Sequence, residues 1–271
     1  MSALISANDL SRLSEKSTVK VVDATYGQPF QALGIHNAVN FDIDIIADPS
    51  APLAHTVPTA ETFARHVGKL GIGNKDTVVV YDTTGIALAA ARVWWMFRLF
   101  GHDDVKVLNG GLRAWTKAGL PLSPKQSYPE EPFAARMRPD LLKSFSDIQG
   151  NIQSEGFLLL DVRDAGRFSG EIPEPRPGID SGHIPKSLNF PFMTLIDPTT
   201  GMLKEKSDLA SFFKDLDVQK SIACSCGSGV TACVTALALY ELGKKDVAIY
   251  DGSWTEWGSA ASVPKIKGFG R

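Results

Sequence analysis

IHNAVNFDIDIIADP at Ile35–Pro49 and IPKSLNFPFMTLIDP at Ile184–Pro198 are one motif written twice, with Ile, Asn, Phe, Asp and Pro recurring at an offset of 149. Repeats of this kind decide an architecture before any single element does. Three more pairs keep the same order. VVDAT from Val21 answers LLDVR from Leu159 at an offset of 138. The run ending VVVYD at Asp82 answers the run ending IACSC at Cys226 at 144. VLNGGLRAW from Val107 answers IYDGSWTEW from Ile249 at 142. One pair would carry little weight; four in one order make the chain a tandem duplication.

The drift of the offset locates the loops. Between the first two landmarks the second half holds 11 extra residues, among them Arg176 and Pro177, and between the next two the first half holds 5 extra, around His55. Insertions of this sort fall at the surface, where binding residues concentrate. Within each half, short β-branched runs such as Val78–Val80 and Phe157–Leu160 alternate with helical patterns at Ala60–Leu70, Ala87–Phe100, Asp208–Leu216 and Thr231–Leu242. Thr59 and Ser207 are placed as N-caps. Strands alternating with helices predict an α/β fold, a parallel sheet covered on both faces in each half. A proline-rich stretch from Gly119 to Lys143 separates the halves. The expected division is a domain over 1–120, a linker over 121–143 and a domain over 144–271.

Composition removes several classes of function. The 271 residues carry a formal net charge of −2, which offers no basic footprint for nucleic acid. No apolar run approaches the roughly 20 residues that cross a bilayer. The N-terminal stretch lacks the pattern of a secretory signal. The three cysteines, Cys224, Cys226 and Cys233, sit within ten residues, which is no disulfide framework and suits a reducing, cytoplasmic setting. A Cys-x-Cys metal site lacks a second ligand pair, so no metal is expected.

The segment SIACSCGSGVTACVTALALYELG reads as strand, tight turn and helix, which puts Cys226 beyond the carboxyl end of a strand, where open α/β sheets bind ligands. Gly227, Ser228 and Gly229 let backbone N–H groups turn inward as an anion nest, and a helix starting near Val230 and Thr231 points its positive end there. Such donors favour a thiolate and would also hold a persulfide. Cys224, inside the strand, and Cys233, on the helix, read as packing thiols. The first half supplies the comparison: its equivalent loop is Asp82-Thr83-Thr84-Gly85, without a nucleophile. A cysteine phosphatase would need an arginine six positions after the thiol, and that position is Ala232.

CGSGVT at Cys226–Thr231, together with ARVWWMFRLFGH from Ala91, LNGGLRAW from Leu108, EPRPGIDSGHIP from Glu174 and YDGSWTEWG from Tyr250, resembles the mercaptopyruvate sulfurtransferases of the rhodanese superfamily over nearly the whole chain. The resemblance implies two tandem rhodanese-like domains, the first with an inactive loop, and sulfur transfer through a Cys226 persulfide with no cofactor. Gly227, Gly229, Val230 and Thr231 would cradle the sulfur. Arg167 and Arg176, nine apart with the second in a PRPG segment, match the family's carboxylate clamp, a task suited to the planar guanidinium. Ser228, His55 and Asp44 match a family serine–histidine–aspartate relay that moves a proton. Thiosulfate-using relatives carry cations inside the loop, as in CRKGVT. Neutral Gly227 and Ser228 therefore favour 3-mercaptopyruvate as donor, with thiosulfate second and a non-catalytic binding module third. The implied acceptor is a thiol, thioredoxin being one candidate, or cyanide. The chain departs from the family at GIHNAVN, Gly34–Asn40, where an HIPGA-type segment and a longer charged loop are usual. His36 and His183 are expected to be structural, and Trp94, Trp254 and Trp257 to pack.

Overall fold

The computed structural model describes residues 2–28, 31–48 and 50–270. Pro49 of the repeated motif, and Pro29 and Phe30 of the loop before Gly34, lie outside the described residues. The chain forms two compact units: Met1–Ser50, Val57–Arg138 and Asp197–Leu203 make the first, and Ala51–Thr56, Pro139–Ile196 and Lys204–Arg271 the second. Each half therefore lends a short loop to the other unit, one beginning at Ala51 just after its Asp-Pro step and the other at Asp197 within it.

The first unit contains β1 (Leu4–Ile5), α1 (Ala7–Leu13), β2 (Val19–Asp23), β3 (Leu33–Gly34), β4 (Ala38–Asn40), α2 (Ile43–Ile46), α3 (Ala60–Lys69), β5 (Thr77–Tyr81), α4 (Leu88–Leu99), β6 (Val105–Leu108), α5 (Gly111–Lys117) and β7 (Ser123–Pro124). The second contains β8 (Leu142–Lys143), α6 (Phe145–Ser154), β9 (Leu158–Asp161), α7 (Ala165–Ser169), β10 (Leu188–Asn189), α8 (Lys206–Phe212), β11 (Ile222–Ser225), α9 (Ala232–Glu241), β12 (Ala248–Tyr250) and α10 (Ser253–Ser259). The first sheet runs β1-β6-β5-β2-β4 and the second β8-β12-β11-β9-β10, every pairing parallel.

Register ties the two sheets together residue by residue. Val21 pairs with Val79 and Leu159 with Ala223; Val79 pairs with Lys106 and Ala223 with Ala248; Val22 pairs with Val39 and Leu160 with Leu188. These are the partners that the offsets of 138, 144, 142 and 149 require. A one-residue slip would turn every side chain to the wrong face, so agreement at each pairing shows that the repeat holds in three dimensions. The cores match likewise: Leu10, Val21, Ile35, Val79 and Trp115 are buried together in one unit, and Ile148, Leu159, Ile184, Ala223 and Trp257 in the other.

Local chemistry fixes the helix starts. Ser6 caps α1 by accepting from Asp9 N–H, and Ser144 at the equivalent place closes a capping box with Asp147 on α6. Thr59 caps α3 as expected, its side chain accepting from Thr62 N–H at 3.2 Å. Ser207 does not cap α8. That helix starts at Lys206, two residues earlier than expected, with Glu205 extended at its head and Ser207 inside the first turn. Residues 121–143 are also more than a tether: β7 pairs antiparallel with β3, Phe133 is buried, and β8 is an edge strand of the second sheet.

Phe41, Phe63, Phe97, Phe100 and Phe133 form an aromatic cluster in the first unit that takes in two histidines. His66 meets Phe41 edge-on at 5.1 Å, and His102 lies 5.6 Å from Phe97 and 5.8 Å from Phe133. Burial lowers the pKa of both, because the apolar surroundings disfavour imidazolium. The unfolded chain then binds more protons than the fold once pH drops below about 6.5. Stability should be complete above that value and decline towards pH 5, by at most ~1.4 kcal/mol per pH unit for each histidine. Urea midpoints between pH 7.5 and 5 measure the slope. His66→Leu with His102→Leu should flatten it, and an undiminished slope would point elsewhere.

Candidate active site: the loop at Cys226

β11 delivers Cys226 at its carboxyl end, and α9 begins six residues later. The main chain on the strand side of the loop is tied down: Cys226 N–H donates to Ser253 Oγ at 3.1 Å, Trp254 N–H donates to Cys226 O at 3.0 Å, and Thr255 holds Gly227 O through its N–H and its hydroxyl at 2.9 and 2.6 Å. Beyond that anchor the amides of Ser228, Val230 and Thr231 donate to no protein acceptor among the described residues. Gly229 takes φ +75, a left-handed conformation in which a Cβ would be strained. α9 starts at Ala232, two residues beyond Val230, so Val230 and Thr231 make the turn that leads into it. Cys226 is 1% exposed, while Gly227 and Ser228 beside it are half-buried and form the open side of the loop.

The first unit shows what such a loop holds. Asp82 stands where Cys226 stands, and Gly85 at φ +76 stands where Gly229 does. The carboxylate of Asp82 is buried and accepts from Thr84 N–H at 3.0 Å, Thr84 Oγ1 at 2.5 Å and Ala90 N–H at 2.9 Å. Thr84 N–H is the counterpart of Ser228 N–H. One loop thus carries its anion as a built-in carboxylate, and in the other the corresponding Ser228 N–H has no protein acceptor among the described residues.

Cations reach the second loop from elsewhere in its unit. A Cβ built on Gly227 would lie 3.2 Å from Arg167 Nη2 and 3.8 Å from Arg176 Nη1. α7 supplies Arg167, with Asp164 as its N-cap, and the Pro-rich segment after it supplies Arg176, whose Nη1 donates to Thr255 Oγ1 at 3.3 Å. A Cβ at 227 would press on the Arg167 guanidinium by a few tenths of an ångström and meet that of Arg176 at ordinary van der Waals distance.

His55 lies in the loaned segment Ala51–Thr56, in the same unit as Cys226, half-buried and at φ +64. Asp44 is exposed in the first turn of α2, in the first unit. Cys224 is fully buried in β11, and burial pushes its thiol pKa up, with Cys233 and Cys226 adding to the effect. Cys233 is buried on α9 with Sγ directed at Gly229 O, 3.4 Å away. His183 is locked between Phe168 O and Gly270 O, both 2.9 Å away, and stacks on Phe168; His36 is exposed. Trp94, Trp254 and Trp257 are buried, and the indole N–H groups of the last two bond to the main chain. Among the described residues no group of three or more His, Cys, Asp or Glu side chains is placed to hold a metal ion. Among the described residues no helix is long and apolar enough to cross a membrane.

Three residues beside the loop escaped the reading of the sequence: Ser253, Thr255 and Glu174. Ser253 carried a signal, since its counterpart in the repeat is Gly111. Both take a left-handed φ, +50 for the serine and +54 for the glycine. Ser253 tolerates it because its hydroxyl bridges Tyr250 O at 2.7 Å and Cys226 N–H. Ser253→Ala should cost about 1–3 kcal/mol in urea unfolding, because two buried backbone groups lose their partner. Ser253→Gly loses the same bonds but sheds the strain, so it should be the more stable by about 1 kcal/mol.

A thiol in a glycine loop beyond a parallel strand, in the second of two copies, places the chain in a class. The chain belongs to the rhodanese family: the rhodanese-like domain matches residues 6–118 and again 144–260. Among particular proteins it is similar to human 3-mercaptopyruvate sulfurtransferase, 44% identical over 246 residues that cover 89% of this chain and 82% of that one. Rat thiosulfate sulfurtransferase is 42% identical over 253 residues, covering 89% and 85%. The crystal structure of SseA from Escherichia coli, reported under the rhodanese fold and mechanism of 3-mercaptopyruvate sulfotransferases, superposes with a TM-score of 0.83 at 34% identity, covering 94% of this chain and 99% of that one.

Proposed function

We propose that the protein is a sulfurtransferase that takes sulfur from 3-mercaptopyruvate onto Cys226 and passes it to a thiol or to cyanide. The observation that carries this is the convergence of Arg167 and Arg176 on Gly227, next to the thiol. Two guanidiniums make a fork for a planar carboxylate, and the donor's sulfur then lies towards Cys226. The thiolate attacks that sulfur and the carbon–sulfur bond breaks. Its electron pair stays on carbon as pyruvate enolate, which takes the proton from the transferred sulfur. Cys226 is left as a persulfide anion and pyruvate departs. Ser228 stands two residues from the thiol to move the proton, and His55 and Asp44 are the residues whose sequence matches the family's relay. The amides of Ser228, Val230 and Thr231 hold the persulfide until an acceptor such as reduced thioredoxin removes the outer sulfur. Three free cysteines suit a reducing compartment such as the cytoplasm.

Identity to relatives does not choose the donor, since 44% and 42% are nearly equal. The loop chemistry does: its own side chains are neutral at 227 and 228. The test is intact-mass measurement after incubation with 3-mercaptopyruvate, where a gain of one sulfur on Cys226 and release of pyruvate are expected. Faster turnover of thiosulfate than of mercaptopyruvate would reverse the assignment of donor.

A further inference from the structure

Resting on that reading, we infer that Glu174 is a specificity-determining residue, which cancels the charge of Arg167 and leaves the loop with one net positive charge. The carboxylate of Glu174 is 2% exposed and lies between two guanidiniums. Oε1 accepts from Arg163 Nη1 at 2.7 Å and from Arg167 Nε at 3.1 Å, and Oε2 accepts from Arg167 Nη2 at 2.6 Å. Arg163 is itself buried. Its Nε and Nη2 hold both oxygens of Asp161, Nη2 also donates to Gly182 O at 2.7 Å, and the guanidinium lies 4.5 Å from the centre of the Trp254 ring.

The four groups alternate in sign, Asp161, Arg163, Glu174, Arg167, and their formal charges sum to zero. Arg176 makes one hydrogen bond, to Thr255, and no ion pair among the described residues. The two guanidiniums over Gly227 therefore differ. Arg167 is an oriented donor whose charge is already matched, and Arg176 is an uncompensated cation.

This difference selects a donor. The carboxylate of mercaptopyruvate is a single negative charge and is satisfied by one net cation plus oriented N–H groups. Thiosulfate is a dianion and gains from every further positive charge at the loop. Releasing Arg167 from Glu174 adds one such charge within a few ångströms. It should raise the preference for thiosulfate relative to mercaptopyruvate on the order of tenfold, after allowance for solvent screening. A residue that merely held the fold together would lower both donors alike.

The experiment is the ratio of kcat/KM for thiosulfate to that for mercaptopyruvate across a charge series. Relative to wild type, Glu174→Gln should raise the ratio, and Glu174→Asp, which keeps the charge, should leave it near the starting value. If Glu174→Gln fails to fold, Asp161→Asn, which removes the other carboxylate of the same network, carries the test by itself and must raise the ratio by a smaller factor. Ratios that these charge removals do not move, or that they lower, overturn the inference. The persulfide on wild-type Cys226 is measured first by mass. Its absence with both donors overturns the sulfur-transfer reading and the inference with it, whereas its presence with unmoved ratios overturns the inference alone.

Discussion

Cys226→Ser is expected to remove turnover with mercaptopyruvate, by on the order of 10⁴-fold or more, as for other enzymes stripped of their nucleophile. The serine hydroxyl fits the same space but is protonated at neutral pH and a poor nucleophile towards sulfur. Folding should be intact. The loop is anchored through main-chain atoms of residue 226, to Ser253 Oγ and Trp254 N–H, and neither bond uses the thiol. The variant should also show no mass gain with either donor. Sulfur found instead on Cys224 or Cys233 would move the chemistry to another residue, against the raised pKa of Cys224 and the engagement of Cys233 with Gly229 O.

Arg176→Ala should raise KM for mercaptopyruvate roughly 10- to 100-fold with a much smaller change in kcat, the range given by loss of a charge-assisted pair of ~1.5–3 kcal/mol. Stability should hardly alter, because Arg176 is exposed and, among the described residues, bonded only to Thr255. Arg176→Lys should recover part of the loss, since an ammonium keeps the charge but not the planar fork. Steady-state kinetics with mercaptopyruvate check both variants, and an unchanged KM in the alanine variant would take Arg176 out of the site. Arg167→Ala tests a different property. It would also strip Glu174 of one partner, so its effect on stability should exceed that of Arg176→Ala.

Much of the architecture could be read directly, because a duplication compares itself. The offsets of 138, 144, 142 and 149 between halves fixed which strands correspond, and the registers of both sheets follow them. The same comparison marked Cys226 against Asp82 and would have marked Ser253 against Gly111. It was silent on Glu174, which lies in the insertion peculiar to the second half and has no counterpart to contrast. Nor did it show that a loop of neutral residues stands under two guanidiniums. Residues 167 and 176 are distant from 227 along the chain, and their approach to it depends on α7 and the Pro-rich segment folding onto the end of β11.

The amino-acid order alone determined the twofold repeat, the parallel α/β class and the position of the thiol beyond a strand, because hydrophobic period, turn residues and repeated landmarks are properties of the chain read in a line. Only the tertiary structure decided which unit takes residues 51–56 and 197–203, that Arg167 is neutralised while Arg176 is not, and that Ser253 secures the amide of Cys226. Those facts depend on groups brought within 3 to 4 Å from separate parts of the chain, and a linear pattern carries no record of such distances.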